Sequence, residues 1–197
     1  MQLGLGMGIF DTTLRFDNDR NVDVDMTSVS VSGGWFINDR WMARASAGAI
    51  LGGSLQPDDG TIHDVEPGGT ATLGMEYRSL VGDGGTPFVD LSLYLSASWA
   101  QTVAPDSDNK TDYSAADARL GVRTGWNVYD EYFPYVTARV FGGPVNWEMD
   151  GQDVVGSDIN HYQIALGIAT QFGPVGLFVE GAFLGEKALS TGLSATW

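Results

Sequence analysis

The sequence predicts an all-β chain, a transmembrane antiparallel up-and-down β-barrel of about ten strands. Three observations carry that expectation. Apolar and polar residues alternate with period two through ten segments; long acidic connections alternate with short turns; and aromatic residues gather at segment ends. Period-two alternation describes a strand whose two faces meet different surroundings.

The ten segments are residues 2–15, about 25–37, 41–55, 68–79, 88–102, 113–128, 133–147, 159–172, 175 to about 184, and 189–197. In the first, Leu3, Leu5, Met7 and Ile9 oppose Gly4, Gly6 and Gly8. In the second, Val29, Val31 and Trp35 oppose Ser28, Ser30 and Ser32. The fifth is the clearest: Val89, Leu91, Leu93, Leu95, Ala97 and Trp99 stand against Asp90, Ser92, Tyr94, Ser96 and Ser98. The last alternates strictly and ends on Trp197. A misread ninth segment would change the count to eight or twelve.

Long acidic connections follow segments one, three, five and seven, and mostly short ones follow two, four, six and eight. The ninth link, Gly185-Glu186-Lys187, is short where the rule asks for a long one. Such alternation puts short turns and both termini on one rim and long loops on the other. Trp35, Trp41, Tyr77, Trp126, Phe172 and Trp197 then fall at the short-turn rim, and Trp99, Trp147 and Tyr162 at the long-loop rim. Two aromatic girdles suit two membrane–water interfaces.

Composition fits. The 197 residues are expected to form a single domain, 1–197. No apolar run reaches the length of a membrane-spanning helix. A mean hydropathy of −0.05 suits a barrel, which hides its apolar residues at alternate positions. The absence of cysteine removes disulfides, thiolate metal sites and a Cys nucleophile, and a net charge of −15 argues against nucleic acid as a partner. Met1 runs straight into a strand, so an exported protein would be read here in its mature form.

A soluble lipocalin-like barrel is the competing architecture, with the apolar face turned into a core. Against it, the polar face is rich in Gly and Ser, Lys110 and Lys187 are the only lysines, and the apolar face keeps its aromatics at its ends.

The ending, an aromatic residue preceded by apolar residues at alternate positions through Leu189, Leu193 and Trp197, resembles the C-terminal signature of bacterial outer-membrane β-barrel proteins, the small OmpA and opacity type among them. Phe is the usual last residue there, and Trp197 departs from it. The resemblance implies residence in the bacterial outer membrane, contact with its lipid and lipopolysaccharide, a monomer, and recognition of the last strand by the barrel-assembly machinery. It is to an architecture and transfers no activity.

On the inward face the alternation collects Arg44, Glu76, Arg78, Asp90, Asp117, Arg119, Arg123, Arg139 and Glu180. Antiparallel pairing puts Arg44 near Glu76 and Arg78 near Asp90. Partly desolvated charges persist when paired, so a charge-compensated lumen is expected. Strands ten, one and two supply a facing wall of Ser190, Gly192, Ser194, Gly4, Gly6, Gly8, Ser28, Ser30 and Ser32. Either the arginines fill the room that wall leaves, or a narrow anion-biased conduit runs along it.

Other chemistry is sparse. Asp106, Asp108 and Asp112 are spaced loosely like a calcium loop but lack its Gly and terminal Glu. Barrel enzymes of the outer membrane include omptin-type proteases and lipid A deacylases. Here only His63 and His161 are available; His161, expected to point inward near Asp158, has no nucleophile or paired-Asp motif beside it. No cofactor and no catalytic residue are expected.

Overall fold

The computed structural model describes residues 1–17, 19–82, 85–105, 109–149 and 151–197. It contains thirteen strands: β1 (Gln2–Phe16), β2 (Asn21–Phe36), β3 (Trp41–Pro57), β4 (His63–Val65), β5 (Gly68–Leu80), β6 (Phe88–Val103), β7 (Lys110–Gly125), β8 (Tyr132–Gly142), β9 (Val145–Met149), β10 (Gln152–Asp158), β11 (Tyr162–Phe172), β12 (Val175–Gly185) and β13 (Lys187–Thr196). Every pairing is antiparallel.

Two rings share this sheet. The lower one runs β1, β2, β3, β5, β6, β7, β8, β11, β12, β13 and closes when β13 returns to β1, from Gln2↔Thr196 to Asp11↔Lys187. The upper one runs β1, β2, β3, β4, β6, β7, β9, β10 and closes at Leu14↔Asp158. The lower ring has ten strands and the upper one eight. Strands β4, β9 and β10 lie in connections that alternation alone reads as loops or as parts of longer segments.

The two rings wear opposite faces. On β1 the outward residues run Leu3, Leu5, Met7, Ile9 and then Asp11 and Arg15, while the inward ones run Gly4, Gly6, Gly8 and then Leu14 and Phe16. On β2 the outward sequence, read upward, passes from Val31 and Val29 to Asp25 and Asp23, and the inward one from serines to Met26, Val24 and Val22. The lower ring therefore carries an exposed apolar belt around a polar interior, and the upper ring a polar exterior around an apolar interior. At roughly 3.3 Å per residue and a tilt of roughly 40°, the run Val89 to Trp99 rises about 25 Å, the height of a lipid-facing band. The upper filling is one cluster: Leu14, Phe16, Val22, Val24, Met26, Ile50, Leu55, Val65, Ala100, Tyr113, Val145 and Trp147.

This inversion corrects one girdle residue. Trp147 does not meet the membrane interface; it is 1% exposed, 6.1 Å from the Phe16 ring and edge-on to His63 at 4.9 Å. The cause is local. The segment read as 133–147 breaks after Gly142, because Pro144 has no N–H for the ladder. Gly143 passes so close to β7 that a Cβ would lie 1.8 Å from the Ala116 carbonyl oxygen. The chain bends there into β9, which pairs with β7 and turns Trp147 inward. Trp35, Trp41, Trp99, Trp126, Tyr162, Phe172 and Trp197 are exposed at the edges of the belt, and half-buried Tyr77 stacks on Trp41 at 4.7 Å. The backbones of Met1 and Trp197 are hydrogen-bonded at the same rim.

Candidate functional site

The inward side chains of the lower ring line a lumen of about 1160 Å³. It extends from the short-turn rim, at Gln2, Asn127 and Gln171, up to Phe10, Arg119, Gln163 and Glu186 beneath the apolar filling. Each charged group reaches it because strands alternate, so residues two apart on one strand point the same way.

Three groups of contacts organise the charges. On β3, β5 and β6, Arg44 Nε lies 3.0 Å from Glu76, which also accepts the Tyr94 hydroxyl. On β5, β6 and β7, Asp90 sits between two guanidiniums, with Arg78 at 3.0 Å and Arg123 at 2.8 Å; the Arg123 guanidinium also lies 5.5 Å from the Tyr135 ring. The third group runs along one side of the lumen, over β7, β8, β11, β12 and the turn after β12. Arg119 meets Asp117 at 2.5 Å and donates to both oxygens of Glu186 at 2.8 and 2.9 Å. Gln163 donates to Glu186 at 2.9 Å and accepts from Arg139 at 2.5 Å, and Arg139 pairs with Glu180 at 2.7 Å. Phe141 lies under the Arg119 guanidinium at 4.5 Å.

All nine charged residues expected in the lumen are in these contacts. Glu186 is the one the sequence reading leaves in a turn. A clue was present: five inward arginines against four carboxylates leave one cation over, and a desolvated cation demands a partner. With Glu186 the described lumen pairs hold five of each sign. The small-residue wall lines the same cavity through Gly4, Gly6, Gly8, Ser28, Ser30, Ser32, Ser190 and Ser194, while the Phe178 ring lies over Gly192. Gln2 Oε1, Arg123 Nε, Asn127 Oδ1 and Thr170 Oγ1 are buried along the lumen without a protein partner, as in an interior that water enters.

The remaining candidates do not converge. Asp106 and Asp108 lie outside the described residues. Asp112 is outward on β7 and accepts from Gln101 at 3.1 Å. Among the described residues no three His, Asp or Glu side chains are grouped to hold a metal ion. His161 is exposed at the long-loop rim, not turned into the lumen, because the chain leaves the barrel wall at residues 159–161 to enter β11. Nearby Asp158 is occupied by the Thr12 hydroxyl at 2.5 Å and the Asn160 N–H at 2.6 Å.

No family model and no curated protein matches the sequence. Solved structures do. The outer-membrane protease OmpT from Escherichia coli is similar with a TM-score of 0.64 at 12% identity, over 100% of this chain and 95% of that one. The translocator domain of the autotransporter NalP from Neisseria meningitidis is similar with a TM-score of 0.53 at 10% identity, over 100% of this chain and 88% of that one. At such identities the likeness speaks for the fold alone. The chain folds as a bacterial outer-membrane β-barrel, with the exposed apolar belt that lipid requires.

Proposed function

We propose that the protein is a non-enzymatic integral outer-membrane barrel with a structural or surface role, closed at its outer end. The observation that carries this reading is the apolar filling of the upper ring. Eight strands enclose just enough room for side chains, and here those side chains are packed and apolar. The lumen below is polar and faces the periplasm in the orientation that short turns imply. A steady anion-biased pore is the weaker reading, since Glu186 balances the fifth arginine and the filling lies across the axis.

A hydrolase working at the rim has less support. The sequence around His161 carries no nucleophile motif, and Asp158 is committed to Thr12 and Asn160. Lipid and lipopolysaccharide around the belt, a monomeric state, and capture of β13 by the barrel-assembly machinery complete the proposal. Planar-bilayer recording of the folded protein tests it: the closed barrel gives no steady current, and regular openings from the unmutated chain would reject it.

A further inference from the structure

The wall loses strands at one place. β12 and β13 stop at Gly185 and Lys187, and above them β10 takes up the position beside β1. Everywhere else the lower wall continues upward into the upper ring or is overlaid by it. The tip of the β12–β13 hairpin therefore sits directly under β10, level with the top of the lumen.

A glutamate at a hairpin tip ordinarily extends into water. Glu186 does the opposite and is 6% exposed. Gly185 makes this possible with φ 75°, in a position where a Cβ would lie 1.8 Å from the Tyr162 carbonyl oxygen. The turn is pressed against β11, and the carboxylate is sent inward to Arg119 and Gln163. Just outside, exposed Asp11 and Lys187 mark where the apolar belt has given way to a polar surface. Inside, the lumen lining rises along Ser194, Ser190 and Ala188 to Glu186 itself.

We propose that this hairpin tip is a side port of the lumen that Glu186 holds shut, and that displacing the Glu186 side chain lets inorganic ions and small neutral sugars pass below β10. The inference rests on the closed reading, which denies an axial route. When Glu186 swings out, Arg119 keeps Asp117 at 2.5 Å, and the lumen is left with five arginines against four carboxylates, one net positive charge. The freed carboxylate moves into water beside Lys187.

The test uses the full chain folded in lipid, recorded in potassium chloride and assayed by liposome swelling in arabinose, as native protein, E186A, E186C and W147A. E186A is expected to give discrete openings and sugar uptake that the native protein lacks. E186C carries the only thiol of a cysteine-free chain, and its current is expected to fall when a membrane-impermeant methanethiosulfonate is added. A silent E186A with the gel mobility of a folded barrel overturns the port, as does conduction by W147A alone, which places the route through the upper filling. If E186A does not fold, E186Q is judged by the same criteria. Steady current from the native protein rejects the closed reading by itself, and the thiol block then still decides the route.

Discussion

Trp147 donates its indole N–H to Thr102 Oγ1 at 2.9 Å, and both side chains are sealed inside the upper ring. That bond joins β9 to β6 over the intervening β7. Trp147→Ala removes the largest fully buried side chain and is expected to cost about 3–5 kcal/mol. Thr102→Val keeps the volume but strands a buried N–H, for about 1–3 kcal/mol. Urea unfolding of the barrel in detergent, followed by Trp fluorescence and gel mobility, measures both. Equal, small effects would show that the upper ring is not packed as described.

Asp90 is buried between Arg78 and Arg123. Asp90→Ala leaves the more enclosed Arg123 without its carboxylate and is expected to cost about 3 kcal/mol. Arg78 is half-exposed, so Arg78→Ala should cost only about 1 kcal/mol. The order of the two unfolding midpoints is the check, and a reversed order would mean that Asp90 is held mainly by Arg78.

The border between the faces of β2 and β6 is testable by charge. Leu95 lies outward in the middle of the belt, and Leu95→Arg should cost about 2–4 kcal/mol in lipid. Asp25 lies outward above the belt, and Asp25→Arg should fold into vesicles as well as the native chain does. Folding yield in phosphatidylcholine vesicles distinguishes them. Equal tolerance at both positions would refute the lipid-facing assignment of Leu95.

Asp158 lies above the belt, buried at the end of β10. Burial raises its carboxyl above the ordinary 3.8, against the hydrogen bonds from Thr12 and Asn160, which lower it. A carboxyl raised in the folded state holds more protons there than in the unfolded chain. Its contribution to stability is therefore full below the ordinary value and is lost as pH climbs through the folded value. Asp158→Asn is expected to flatten the decline in stability that sets in as pH rises above the ordinary 3.8. Thermal unfolding over that rise should show the native slope exceeding the variant's, and identical slopes would remove Asp158 as its source.

The sequence by itself determined the lower barrel. Along β6, for example, strict alternation from Val89 to Trp99 names the two faces, because side chains on a strand point alternately and the lipid-facing side is apolar throughout that run. The same period names Arg44, Arg78, Asp90 and Arg139 as inward neighbours. What alternation cannot state is which of two faces is wet. In the upper ring the pattern keeps its period but exchanges its faces, so Val22, Val24 and Trp147 are read outward or as loop when they point in. Only the tertiary structure decided that exchange, through contacts distant in sequence: β10 closing on β1, β9 on β7, and β4 between β3 and β6. Glu186 belongs to the same class. Its turn is local, but its inward direction is fixed by Arg119, 67 residues earlier in the chain, and by the close approach of β11 to Gly185.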